Sequence, residues 1–259
     1  MEDRYKTPIY IMKGVRMIKA IISTLMLFLI FIRTVEASYK VAFPQGDFSP
    51  QYNSSTGQML GFLPEVMERF ANDSGNDFVL QSFPIKRYQL LLKSSQIDFI
   101  LPSNPAWSDK TAGEIVYSSA IMNSRLGFVR KKEFIGKPVT RVATIRGYTL
   151  PELTSAQKLT NYSEYFTPKI SKCMKLLKLD RVDSVYAHSD FVRSWLNKNN
   201  LNDYLVFDPS LSIDDYSYHL ATISHKEIIL EFNKWLFENQ ITIKQLMKKY
   251  GVGSEPLLE

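Results

Sequence analysis

The sequence predicts an α/β fold divided into two lobes. Short β-type runs alternate with helix-type segments along nearly the whole chain beyond residue 37, and the alternation occurs as two similar units. Extended runs near Val129 and Ala221 stand between those units and read as two crossovers. At 259 residues, with 45% hydrophobic and 22% charged side chains, the chain can bury a core without metal or disulfide. That composition excludes collagen-like, low-complexity and wholly disordered architectures.

Taken in order, Tyr39 to Phe43 reads as a first strand. Phe62, Val66 and Phe70 then recur every four residues, with Pro64 early and Gly75 late, which are helix start and stop signals. Phe78 to Phe83 is a second strand, Tyr88 to Lys93 a short helix and Ile97 to Leu101 a third strand. Leu126 to Val129 is extended and runs into the basic Arg130-Lys131-Lys132. The second unit comprises strand Arg141 to Ile145, a helix from about Leu150, helix Ile170 to Leu179 and strand Val182 to Ala187. Tyr216 to Ile223 is again extended. Two terminal helices follow, one carrying Ile228, Phe232, Trp235 and Leu236 on one side, the other running from Ile243 to Tyr250 and stopped by Gly251. Two such lobes enclose a cleft, the usual place for a small ligand.

The N-terminus reads as a secretory signal. Lys13, Arg16 and Lys19 precede an apolar stretch from Ala20 to Ile32, and Val35-Glu36-Ala37 offers small residues for cleavage near Ala37. That stretch rises about 20 Å as a helix, short of the roughly 30 Å hydrocarbon core, so a stable span is the weaker reading. Met12 and Met17 are alternative starts. Removing the six basic and three acidic residues of 1–37 reduces 32 against 26 to 26 against 23. The mature chain is then only +3, and nothing in its charge requires nucleic acid.

The lone Cys173 excludes an internal disulfide and a Cys-rich zinc site, and it shares a helix face with Ile170, Met174 and Leu177, a core position. His188, His219 and His225 are too few and too scattered for a metal centre, and no cofactor is expected. Neither a Ser-His-Asp constellation nor a phosphate-cradling Gly loop is visible.

Read with their residues, these pieces resemble the bacterial extracellular solute-binding proteins of family 3, the amino-acid-type substrate-binding proteins of ABC transporters. Tyr39 to Phe43 with Phe48 and Pro50, Gly61-Phe62-Leu63-Pro64-Glu65-Val66, Ile97-Asp98-Phe99 and Val116-Tyr117-Ser118 match the first half. Gly136-Lys137-Pro138-Val139, Arg181-Val182-Asp183-Ser184, Phe232-Asn233-Lys234-Trp235-Leu236 and Lys249-Tyr250-Gly251 match the second half and the terminal helices. Each match is weak alone; their shared order spans residues 38 to 251.

The resemblance implies the type II periplasmic-binding-protein fold with two hinge crossovers. It places a discontinuous first lobe at 38–128 plus 223–259 and a second at 129–222. It also implies a periplasmic, monomeric, non-enzymatic receptor that hands a small polar solute to a transporter permease or a membrane sensor. Where the family has an Arg that grips the ligand carboxylate, Pro102 to Lys110 offers Ser103 and Lys110 but no Arg. Where it has an Asp for the ligand amine, the count from Asp183 lands on His188, a neutral acceptor or simply a satisfied histidine at a strand end.

Other residues offer substitutes. Pro84-Ile85-Lys86-Arg87 and Arg146-Gly147-Tyr148 resemble segments of a divergent branch, in which Arg87 faces the cleft. Thr149-Leu150-Pro151-Glu152 fits a capping box, so Arg146 lies either beside an anion-binding helix N-terminus or in solvent. Phe43, Phe48, Tyr52 and Trp107 follow first-lobe strands at the ligand end of the sheet, with Phe43 equally placed for the core. Asp47 could receive an amine or serve as a turn residue. The ligand-contact set is thus Arg87, Arg146, Trp107, Tyr148, Ser103, His188, Phe48 and Asp47, with Arg87 and Arg146 converging from opposite lobes. The competing expectations are a cyclohexadienyl-dehydratase-like enzyme on the same scaffold and a ligand-sensing module.

Overall fold

The computed structural model describes residues 38–107, 114–148, 162–201, 204–211 and 213–253. The signal reading of 1–37, Lys110, and the capping box and helix expected from about Leu150 lie outside those residues.

The chain opens with β1 (Tyr39–Pro44), followed by a small hairpin of β2 (Asp47–Phe48) and β3 (Tyr52–Asn53). Helix α1 (Phe62–Ser74) buries Phe62, Val66 and Phe70 and ends where Gly75 turns left-handed at φ 76°, donating to the Ala71 carbonyl. Then come β4 (Phe78–Phe83), α2 (Ile85–Lys93) and β5 (Phe99–Ser103). Helix α2 begins three residues earlier than periodicity suggests, because Pro84 fixes the chain just ahead of its first turn. The short β6 (Val116–Tyr117) leads to the ten-residue β7 (Met122–Lys131).

The second unit consists of β8 (Arg141–Ile145), β9 (Ser163–Thr167), α3 (Ile170–Lys178), β10 (Ser184–His188), α4 (Ser189–Asn199) and β11 (Leu205–Phe207). Strand β12 (Ile213–Thr222) returns the chain to the first region, and α5 (Lys226–Glu238) and α6 (Gln240–Tyr250) close it. Three of these elements, β9, α4 and β11, were not expected. Helix α4 buries Phe191, Val192 and Leu196 and ends at a left-handed Asn200, but no Gly or Pro marks its start directly after β10. In β9 four of five residues are exposed, so it carries no apolar alternation.

One continuous sheet joins both units, in the order β4-β1-β5-β12-β7-β10-β8-β9. At one end β1 pairs in parallel with β4 and β5; at the other, β8 pairs in parallel with β9 and β10. Between them β7 and β12 run antiparallel, from Ile213 opposite Gly127 to Tyr218 opposite Met122. Beyond that point β12 changes partner: His219 lies opposite Ser103 and Ala221 opposite Tyr117. These two long strands are the crossovers. Helix α2 packs on β1 and β5, α3 on β8 and β10, and Phe43, Phe99, Phe128 and Cys173 are wholly buried.

Arg130 breaks the pattern of the basic run. It is 1% exposed within β7 and donates to the Asp208 carboxylate at 3.0 Å and to the Lys137 carbonyl at 2.9 Å. Lys131 is also buried and reaches Asp180 at 2.5 Å, stacking over Tyr204. Arg130 is thus held in an enclosed ion pair, and the buried Lys131 in a pair with the exposed Asp180.

Candidate functional site

The carboxyl ends of five strands, in two parallel sets, present the candidate residues. Beyond β1 lies the loop with Asp47, Phe48 and Tyr52; beyond β4, Ile85 and Arg87; beyond β5, the turn Pro105–Trp107. On the other side Arg146, Gly147 and Tyr148 follow β8, and His188 ends β10. Within each parallel set the exits share one edge; the sets β1/β4/β5 and β8/β10 run antiparallel to each other through β12 and β7, and their exits meet where the segments after β4 and β8 come into contact.

The two regions touch at these exits. A Cβ on Gly147 would lie 3.3 Å from the Ile85 Cβ, so the backbone after β8 sits directly against the first turn of α2. Gly147 also has φ 98°, a conformation that side-chain-bearing residues rarely adopt. The rings of Phe48 and Tyr148 are nearly parallel, 11° between planes and 6.5 Å between centroids. Phe48 is backed by Tyr52 at 4.9 Å, and Tyr52 by Phe43 at 5.4 Å. On the far side Tyr148 meets the edge of His188 at 6.1 Å, His188 meets Tyr218 at 5.7 Å, and Trp107 packs on Tyr216 and Tyr218.

Beneath the rings lies a buried polar cluster. The Tyr218 hydroxyl is 3.0 Å from His188 Nδ1 and donates to Gln51 Oε1 at 3.3 Å. Ser124 Oγ is 3.3 Å from His188 Nδ1 and accepts from Gln51 Nε2 at 3.3 Å. Gln51 Nε2 also donates to Asp190, whose other oxygen accepts the Gly253 backbone N–H. Burial lowers the His188 pKa to about 3, so the imidazole is neutral at physiological pH. Burial raises the Asp190 carboxyl, against the donors Gln51 and Gly253 and the nearby Arg193. The hydroxyls of Tyr52, Tyr148 and Tyr218 are all held above their ordinary value by desolvation.

Of the eight expected ligand contacts, Phe48, Tyr148, His188 and Trp107 belong to this aromatic wall. Ser103 is buried near it at the end of β5, opposite His219. Arg87 and Arg146 are exposed and flank the Ile85–Gly147 contact, the first two residues from Ile85 and the second adjacent to Gly147. Asp47 is exposed and its carboxylate accepts the Ser49 backbone N–H at 3.1 Å, the turn arrangement. Phe43 is core and only supports Tyr52.

Gln51, Ser124, Asp190 and Tyr218 carry no mark in the sequence. Their partners lie 30 or more residues away, and no local spacing marks a buried polar cluster built across two crossovers.

No family model and no curated protein matches the chain. Solved structures do. A mutant of ArgBP from T. maritima is 18% identical, covers 83% of this chain and 95% of its own, and superposes with a TM-score of 0.67. A substrate-binding protein of an ABC uptake transporter from Streptococcus pneumoniae, with bound histidine, gives 14%, 86%, 95% and 0.68. A histidine kinase sensor domain with similarity to periplasmic binding proteins gives 17%, 85%, 99% and 0.68. The fold is that of the two-lobed periplasmic binding proteins. On this fold β7 and β12 are the two strands that cross between the lobes.

Proposed function

We propose that this protein captures a small polar solute in the cleft between its lobes and presents it to an ABC-type transporter in the periplasm. The observation that carries this reading is the meeting of strand carboxyl ends from two oppositely running sets of parallel strands: β1, β4 and β5 lead to Phe48, Arg87 and Trp107, β8 and β10 to Arg146, Tyr148 and His188, and the two groups touch at Ile85–Gly147 and Phe48–Tyr148. The lobes are 38–128 plus 223–259 and 129–222, after cleavage near Ala37. Closure follows from differential affinity, since a solute touching both lobes favours the closed arrangement.

Charge narrows the solute. Lys86, Arg87 and Arg146 are exposed around the Ile85–Gly147 contact, so bringing the lobes together concentrates positive charge that an anionic or zwitterionic solute offsets. His188 stands neutral where a fixed negative charge would otherwise receive an amine, which favours an organic anion over a free basic amino acid.

The test is a thermal-stability panel of amino acids, small organic acids and short peptides. A specific solute raises the melting temperature by mass action. No shift across the panel at millimolar concentration contradicts the reading. The likeness to a histidine kinase sensor domain supports a second reading, in which the partner is a membrane sensor; binding to a purified cognate permease, tested with and without solute, separates the two.

A further inference from the structure

We propose that the open edge of β4 docks an extended basic segment of another protein, which adds to the sheet as a strand and lays its side chains into the groove between β4 and α1. This site is independent of the solute-binding reading above.

The sheet ends at β4, which has β1 on one side and, among the described residues, no strand on the other. The Tyr39 and Gln45 amides donate to the Asp77 and Phe83 carbonyls, and successive residues of a strand turn their backbone groups to opposite sides. The amides and carbonyls of Phe78, Leu80 and Ser82 therefore face outward, a row of donors and acceptors that a further strand can pair. Edge strands are normally blunted by charge, proline or a bulge. Strand β4 reads Phe-Val-Leu-Gln-Ser-Phe and pairs with β1 over all six residues without a shift, so it carries none of these.

The groove beside this edge decides the occupant. It is a recess of about 320 Å³ whose lining includes Leu60, Met67, Phe78 and Leu80 together with Glu68 and Asp77. Phe78 and Leu80 share the face of β4 that lies against α1, where the Phe78 ring meets Phe70 at 5.6 Å. Alternate side chains of an added strand enter on that face and meet apolar surface, part of it an adaptable methionine. Glu65, also in the groove, is already held by Arg69, Lys249 and Tyr250. Glu68 and Asp77 are exposed and have no side-chain partner among the described residues. Two uncommitted carboxylates beside an apolar floor match a Lys or Arg set between apolar residues, and they repel an acidic segment.

The experiment is titration of the full chain with acetyl-Leu-Thr-Lys-Thr-Leu-Thr-amide and with the same peptide carrying Glu in place of Lys, followed by calorimetry and by backbone amide exchange. The Lys peptide is expected to bind with a Kd below about 1 mM, and about tenfold more tightly than the Glu peptide at low salt. At saturation, exchange should slow at the Phe78, Leu80 and Ser82 amides and stay unchanged at Val79 and Gln81. Ser82→Pro removes one outward donor without touching the β1 ladder, and should weaken binding about tenfold or more. Glu68→Lys combined with Asp77→Lys should reverse the preference between the peptides; both side chains are exposed, so this variant keeps the test open if the proline variant fails its thermal melt. No binding at millimolar concentration, equal affinity for the two peptides, or protection away from β4 overturns the proposal. Dimers of the peptide-free protein that Ser82→Pro disperses assign the edge to a second copy of this chain and overturn it as well.

Discussion

The side-chain amide of Gln51 donates to the Asp190 carboxylate at 3.2 Å, joining the loop beyond β1 to the first turn of α4, 139 residues away. Gln51 also accepts from Tyr218 and donates to Ser124, which are on the two hinge strands. One side chain therefore ties both lobes to both crossovers. Gln51→Ala leaves a buried carboxylate and a buried hydroxyl each short of a partner, and should cost about 1–3 kcal/mol in chemical denaturation. A loss below about 0.5 kcal/mol would show that the link contributes little.

His188 sets a pH dependence. Unfolded, the ring takes a proton near pH 6.5; folded, it does so only near pH 3, because burial disfavours the charged form. Between those values the unfolded chain binds the extra proton, so stability falls as pH drops through this window and is unaffected by His188 above it. Asp190 has the opposite sign, since its raised pKa makes the folded chain hold a proton longer, and comparison of variants removes its share. Unfolding free energies from urea titrations between pH 7.5 and 5 should fall in the wild type with a slope approaching about 1.4 kcal/mol per pH unit, and less steeply in His188→Asn. Parallel slopes would assign the dependence elsewhere.

The Arg130–Asp208 pair is enclosed, with side chains 1% and 0% exposed. Removing one partner leaves the other buried and unpaired. Asp208→Ala should therefore cost about 3–5 kcal/mol, far more than loss of the exposed Arg125–Asp215 pair, for which about 0–1 kcal/mol is expected. Equal losses in the two variants would contradict the contrast.

Most of the fold was legible because its elements carry their own signals. Phe62, Val66 and Phe70 with Gly75, Phe78 to Phe83, Arg141 to Ile145 and the Gly251 stop all announce themselves within a dozen residues. Strand β9, held in the sheet by β8 alone, has no such mark, and α4 starts without a breaker. The aromatic half of the candidate site was legible for a similar reason: Phe48, Trp107 and Tyr148 follow recognisable strands. The polar floor was not, because Gln51, Ser124, Asp190 and Tyr218 acquire meaning only when four separate segments meet. The burial of Arg130 and Lys131 was not legible either, since their partners Asp208 and Asp180 lie far along the chain.

Gly147 leaves little room beside Ile85. Gly147→Ala introduces a Cβ 3.3 Å from the Ile85 Cβ and strains a backbone at φ 98°. Solute affinity should fall by about tenfold, and Ile85→Ala in the same chain should restore part of it by relieving the contact but not the strain. Restoration of nothing would mean that the contact does not limit closure.

The central claim is that Arg87 and Arg146 grip one solute from opposite lobes. Calorimetric titration of wild type, Arg87→Ala and Arg146→Ala with the acid that most raises the melting temperature tests it most directly. Each substitution should weaken binding by about 1.5–3 kcal/mol, roughly tenfold to a hundredfold or more, through loss of a charge-assisted hydrogen bond. Unchanged affinity in both variants would contradict the claim.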